Sequence, residues 1–173
     1  MAGWQALLGT EWPIIQAPMA GVQDSTLAIA VASAGGLGSL PAAMLDAAAL
    51  RAELSRLREA TSAPFNINFF CHQPPAHDAA REARWRERLR PNYRELGLPE
   101  DAPAPAAARR PFDADALAVL ADFRPRVVSF HFGLPDEALL APLRAWGATI
   151  MASATTVNEA RWLAARGVDV IIA

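Results

Sequence analysis

Short apolar runs recur along this chain at intervals that fit one strand followed by one helix. They are PIIQAPM (13–19), LGSL (37–40), FNINFF (65–70), VVSFHF (127–132), TIMASA (149–154) and DVIIA (169–173). All but the interval between the third and fourth runs are the length of a single βα unit. Strands joined by one crossover helix each must pair in parallel, because a tight hairpin cannot return a chain in the same direction. Most of these runs are apolar on both faces, as expected of strands covered by helices on one side and a filled interior on the other. The pattern therefore predicts an α/β chain of about six βα units, with the sixth strand cut short at Ala173.

The intervening segments carry helix signals. Asp24 is placed to cap a helix over Ser25–Ala34, which Gly35-Gly36 closes. Asp46 caps a second helix running to Ala60, with Leu50, Leu54 and Leu57 at helical spacing. Further helices are predicted over Pro135–Trp146 and over Thr156–Arg166, the latter closed by Gly167. The long interval holds an insertion at about 71–111. It contains an arginine-rich helix over 78–95 and a Pro/Ala-rich loop over 99–111, before a crossover helix at Phe112–Phe123. An insertion after the third strand would lie where barrel active sites sit, so a lid is one reading. A solvated surface helix is the other, since charge runs usually face water, and RNA binding is a weaker third.

Charge and composition exclude several functions. The net charge of −2 and a pI near 5.9 offer no general attraction to nucleic acid or anionic lipid. No stretch approaches the roughly 20 apolar residues of a membrane helix, and the N-terminus lacks the basic and apolar regions of a secretory signal. One cysteine, Cys71, rules out a disulfide framework within the chain and suits a reducing compartment, so a cytoplasmic location is expected. Every basic residue is Arg, which removes Schiff-base chemistry and a lysine phosphate clamp.

In a parallel α/β barrel, chemistry sits at the C-terminal ends of the strands. That rule selects Ala17-Pro18-Met19-Ala20-Gly21 after the first run, Ser39 in the second, and Asn66, Asn68, Cys71 and His72 in or just after the third. It also selects His131 and Gly133 at the fourth, and Ser153, Thr155 and Thr156 at the fifth. Asn66 and Asn68 share one strand face. Their carboxamides could offer a donor and an acceptor to a heteroaromatic ring, or could serve only to satisfy neighbouring backbone. His131 could act as a base, a proton donor or an orienting group, or be a buried neutral histidine bonded to a carbonyl. The Pro18–Gly21 turn exposes main chain, which lets a flat ligand approach closely, or is simply a tight βα turn. Gly35-Gly36-Leu37-Gly38 follows a helix and precedes a strand, the reverse of a dinucleotide fingerprint. Cys71, His72 and His77 match no standard zinc spacing.

These residues together resemble a family. Gln16-Ala17-Pro18-Met19-Ala20-Gly21, followed by Ala34-Gly35-Gly36-Leu37-Gly38-Ser39-Leu40, is similar to the opening of the nitronate monooxygenases, formerly called 2-nitropropane dioxygenases. Pro64-Phe65-Asn66-Ile67-Asn68 resembles their third-strand motif. Phe69-Phe70-Cys71-His72-Gln73-Pro74-Pro75 resembles the bacterial class I subgroup. Val128-Ser129-Phe130-His131-Phe132-Gly133 and Ser153-Ala154-Thr155-Thr156 continue the match. The resemblance implies a TIM (β/α)8 barrel, incomplete here, holding FMN non-covalently. It implies oxidation of alkyl nitronates, propionate 3-nitronate among them, with O2 to a carbonyl compound and nitrite. It also implies that Ala17, Pro18, Met19 and Asn68 lie against the flavin, with Ser153 approaching it, and that His131 lies near substrate. The family's principal catalytic histidine falls in a loop beyond Ala173. The competing expectations are a related FMN barrel reductase of quinones or enoyl thioesters using NAD(P)H, and a non-catalytic remnant.

Overall fold

In a computed structural model, residues 3–73, 76, 78–100 and 109–173 are described. The helices are α1 (Trp4–Leu8), α2 (Ser25–Ser33), α3 (Ala47–Ala60), α4 (Ala79–Glu95), α5 (Ala114–Phe123), α6 (Glu137–Ala145) and α7 (Val157–Ala164). The strands are β1 (Gly38–Pro41), β2 (Phe65–Phe70), β3 (Val127–His131), β4 (Thr149–Ser153) and β5 (Val170–Ile172). All pair in parallel in the order β1-β2-β3-β4-β5, so chain order and spatial order coincide. That is the topology of a consecutive arc of a (β/α)8 barrel, with each crossover in the same sense.

Strand alternation sorts the residues into two faces. Leu40, Ile67, Phe69, Val128, Phe130 and Ile150 join helix residues Leu50, Leu54, Leu57, Leu120, Leu140 and Leu143 in the main apolar core. Phe69, Phe112 and Phe130 pack ring on ring there, with centroids 4.7 to 6.5 Å apart. Full burial of such side chains contributes about 1.5–3 kcal/mol each, which makes this layer the main source of stability. The opposite face starts with a small apolar layer of Leu8, Leu37, Val127 and Met151. Helix α1, which the apolar pattern did not reveal, supplies Leu8 to that layer. Towards the strands' C-terminal ends the same face turns polar.

Helix termini follow the sequence signals. Asp24, Asp46, Asp113 and Thr156 each accept a backbone N–H at an N-terminus, and Gly35 takes the left-handed conformation (φ 88°) after α2. One expected element is different. The run at 13–19 forms no strand; it contributes a single parallel bridge, Ile15 to Leu37. Gln16 N donates to Leu37 O and Leu37 N to Ile14 O, after which the main-chain ladder ends. Pro13 and Pro18 bring no N–H to this run, and Ile14 is 60% exposed. The sheet therefore has five strands where six were expected.

Residues 73–108 form a compact unit of their own. Its helix α4 is capped by Asp78 and buries none of its side chains, as the charge run led one to expect of a solvated helix. Most of the Pro/Ala-rich loop (101–108) and His77 lie outside the described residues.

Candidate functional site

The site is built from the inward face of β1, β2 and β3. Register places Ser39 opposite Asn66 and Asn68 opposite Ser129, so four polar side chains from three strands meet in two layers. All four are buried. Asn66 Nδ2 donates to Ser39 Oγ (3.1 Å) and to Ser129 Oγ (2.9 Å). Asn68 Nδ2 donates to the same Ser129 Oγ (3.0 Å) and more weakly to Ser129 O (3.4 Å). Asn66 Oδ1 is buried and has no partner. An unpaired buried carbonyl costs about 1–3 kcal/mol.

The Ala17–Met19 turn is held over this cluster by two glutamines. Ser39 N donates to Gln16 Oε1 (2.8 Å) and Gln23 Nε2 donates to Ser39 O (2.7 Å). The two side chains thus continue beside β1 the pairing that the main chain abandons after Ile15. Gln16 Nε2 bonds Gln23 Oε1 (2.7 Å) and Ala17 O, and Met19 N donates to Gln23 Oε1 (3.2 Å). Ala17 and Met19 remain exposed, and Gly21 adopts φ 84°, where a side chain would be strained. The sequence pattern did not single out Gln23 or Ser129. Ser129 carried the same signal as the asparagines, a polar residue inside an apolar strand.

One layer further along the strands, His131 Nδ1 lies 2.8 Å from Ser153 Oγ, which joins the end of β3 to the end of β4. Burial holds the imidazole below its ordinary pKa of 6.5, so it is neutral near pH 7. Around it stand Phe70 (6.1 Å between ring centroids) and Phe132 (6.3 Å), with His72 against both of those phenyl rings. Phe132 is exposed and left-handed, at φ 67°. The thiol of Cys71 is pushed up to about 12 by burial, which makes it a poor nucleophile and a poor metal ligand at neutral pH.

An inward polar cluster within parallel barrel strands, continued at their C-terminal ends by His131 and Ser153, is the frame of a (β/α)-barrel ligand site. The family model described as nitronate monooxygenase matches residues 3–173, and the chain belongs to that family. It is 45% identical to a nitronate monooxygenase of Paraburkholderia phytofirmans over 96% of this chain and 46% of the relative. It is 41% identical to one of Pseudomonas aeruginosa over 96% of this chain and 48% of the relative. Among solved structures, a nitroalkane oxidase from Streptomyces ansochromogenes superposes with a TM-score of 0.83 at 38% identity, covering 98% of this chain and 47% of that one. The chain spans about half the length of the relatives it matches. The TIM-barrel class expected from the motifs is shown by that superposition, this chain supplying one arc of the barrel.

Proposed function

We infer that the chain is the N-terminal, flavin-facing part of a nitronate monooxygenase, which in the full-length protein oxidises alkyl nitronates such as propionate 3-nitronate with O2 to a carbonyl compound and nitrite. The observation that carries this reading is the Asn68 amide on the inward face, whose carbonyl has no hydrogen bond among the described residues, beside a strand to which Gln16 and Gln23 tie the Ala17–Met19 turn. A flavin ring edge alternates N–H donors with carbonyl acceptors, and the Asn68 carboxamide fits it, while Ala17, Pro18 and Met19 offer the face of their turn for the ring to pack on. Ser153 is placed to hold His131 where it could also approach such a ring. FMN, when bound, supplies the electron-accepting chemistry that no side chain here could provide.

The residues of this chain bind and orient. Asn68 and the Ala17–Met19 turn would hold the flavin ring. In the tautomer in which Ser153 Oγ donates to Nδ1, neutral His131 carries its proton on Nε2, and a neutral N–H donor can polarise the nitronate oxyanion without forming a tight ion pair. The Phe70 and Phe132 rings give the alkyl part of the substrate an apolar wall. A lone cysteine and the family's chemistry suit a cytoplasmic enzyme.

The test is direct. Full-length protein should purify yellow or take up FMN in titration, and should release nitrite from propionate 3-nitronate under air. Protein that ignores FMN, or that oxidises NADH with quinone while giving no nitrite, overturns the reading in favour of a remnant or of a barrel reductase.

A further inference from the structure

We propose that Ser129 is a positioning residue of the flavin site, holding the Asn68 amide so that it presents its carbonyl, and not its NH2, to the ligand. This rests on the reading that the full-length protein binds FMN beside Asn68. A serine hydroxyl has two acceptor lone pairs and one proton. Here both lone pairs are taken, by Asn66 Nδ2 at 2.9 Å and Asn68 Nδ2 at 3.0 Å. An amide whose NH2 is tied to one point must turn its oxygen elsewhere. Asn68 Oδ1 accepts no hydrogen bond among the described residues and is left for the ligand, whereas Asn66 Oδ1 is wholly buried behind it. The terminal torsion of asparagine is broad and two-fold, so without such a tether each amide can rotate by half a turn and exchange its acceptor for a donor. The two contacts of Asn68 Nδ2, to Ser129 Oγ and to the acceptor-only Ser129 O, therefore tie down its NH2 and leave its carbonyl for a ligand edge that offers N–H groups.

The same hydroxyl links the two halves of the cradle. From Ser129 the hydrogen bonds run through Asn66 to Ser39 Oγ, and the Ser39 main chain is held by Gln16 and Gln23, which also hold the Ala17–Met19 turn. Rotation of the Asn68 amide would turn its NH2 away from both Ser129 oxygens and so detach it from this network.

The experiment is FMN titration of the full-length protein in four forms: wild type, Ser129→Ala, Asn68→Ala, and the double variant. Ser129→Ala should weaken FMN by about tenfold in the wild-type background and by less than about twofold when Asn68 is already Ala, because its effect passes mainly through that amide. The visible circular dichroism of bound FMN should change in Ser129→Ala. The near-isosteric Ser129→Cys, whose sulfur is a weaker acceptor, should show an intermediate loss, which keeps the test decisive if the Ala variant folds poorly. An equal loss in both backgrounds, or no loss in the wild-type background, overturns the positioning role. Wild-type protein that does not bind FMN at all overturns the functional reading instead.

Discussion

His131 and Ser153 meet at 2.8 Å across the ends of β3 and β4, in a part of the barrel arc where the imidazole is partly shut away from water. Burial lowers the pKa of His131 below 6.5, so the folded protein resists a proton that the unfolded chain accepts. The contribution of this group to stability is complete above 6.5 and is lost as pH falls from there towards the folded midpoint. An NMR titration of the His131 ring should give a midpoint below 6.5. A midpoint at or above that value would show that solvent reaches the ring more freely than the structure has it.

His131 also carries the substrate side of the functional reading. His131→Ala in the full-length protein should keep FMN and lower kcat/KM for propionate 3-nitronate by about tenfold or more, the usual cost of removing one donor to an oxyanion. Ser153→Ala should produce a smaller drop in the same direction, since it removes only the partner that holds the ring. Unchanged steady-state kinetics in His131→Ala would make the histidine structural.

Much of this arrangement was legible in the sequence, and the reasons are local. Asp24 and Asp46 each stand before a helical segment, and side-chain capping is decided within three residues. The strands from Gly38 onward were legible because each is short, apolar and bounded by helix stops. The run at 13–19 was misleading for a non-local reason. PIIQAPM has strand composition, but Ser39 is paired by the side chains of Gln16 and Gln23 in place of main chain, and no period in the sequence encodes that. Asn66 and Asn68 stood out by polarity alone. What they touch, Ser39 and Ser129, depends on register across three strands and so needed the structure.

Phe132 gives a prediction with an inverted sign. Its φ of 67° lies where a Cβ is penalised by about 1–2 kcal/mol. Replacing a loop residue by Gly ordinarily destabilises relative to Ala, through the entropy of the unfolded chain. Here Phe132→Gly should be more stable than Phe132→Ala by about 1 kcal/mol in urea denaturation. The reverse order would mean that the loop after β3 relaxes out of the left-handed region.

Cys71 should be silent while the protein is folded. With its thiol pushed up to about 12, almost no thiolate exists at pH 8. Alkylation by iodoacetamide, followed by mass spectrometry, should be slow in buffer and rapid in concentrated urea. Fast labelling of the native protein would contradict the burial that the structure assigns to this side chain.

Gly38 lies against the backbone of α2, and its role is spatial. A Cβ built at this position would lie 2.0 Å from Ala28 O, 2.7 Å from Ala28 C and 2.8 Å from Ala28 Cα, in the middle of α2. Main-chain atoms cannot swing aside as a flexible side chain would, so α2 must move away from β1. That movement would loosen Ala28 and Ala32, both buried, and disturb the strand that carries Ser39. Gly38→Ala should therefore destabilise by about 1–3 kcal/mol, as overpacking of a filled interior does. Ala28→Gly should not rescue it, because the clash is with atoms that every residue has. Thermal denaturation of the two single variants and the double variant would decide the matter: recovery of stability in the double variant would move the contact from the backbone of α2 to the methyl group of Ala28.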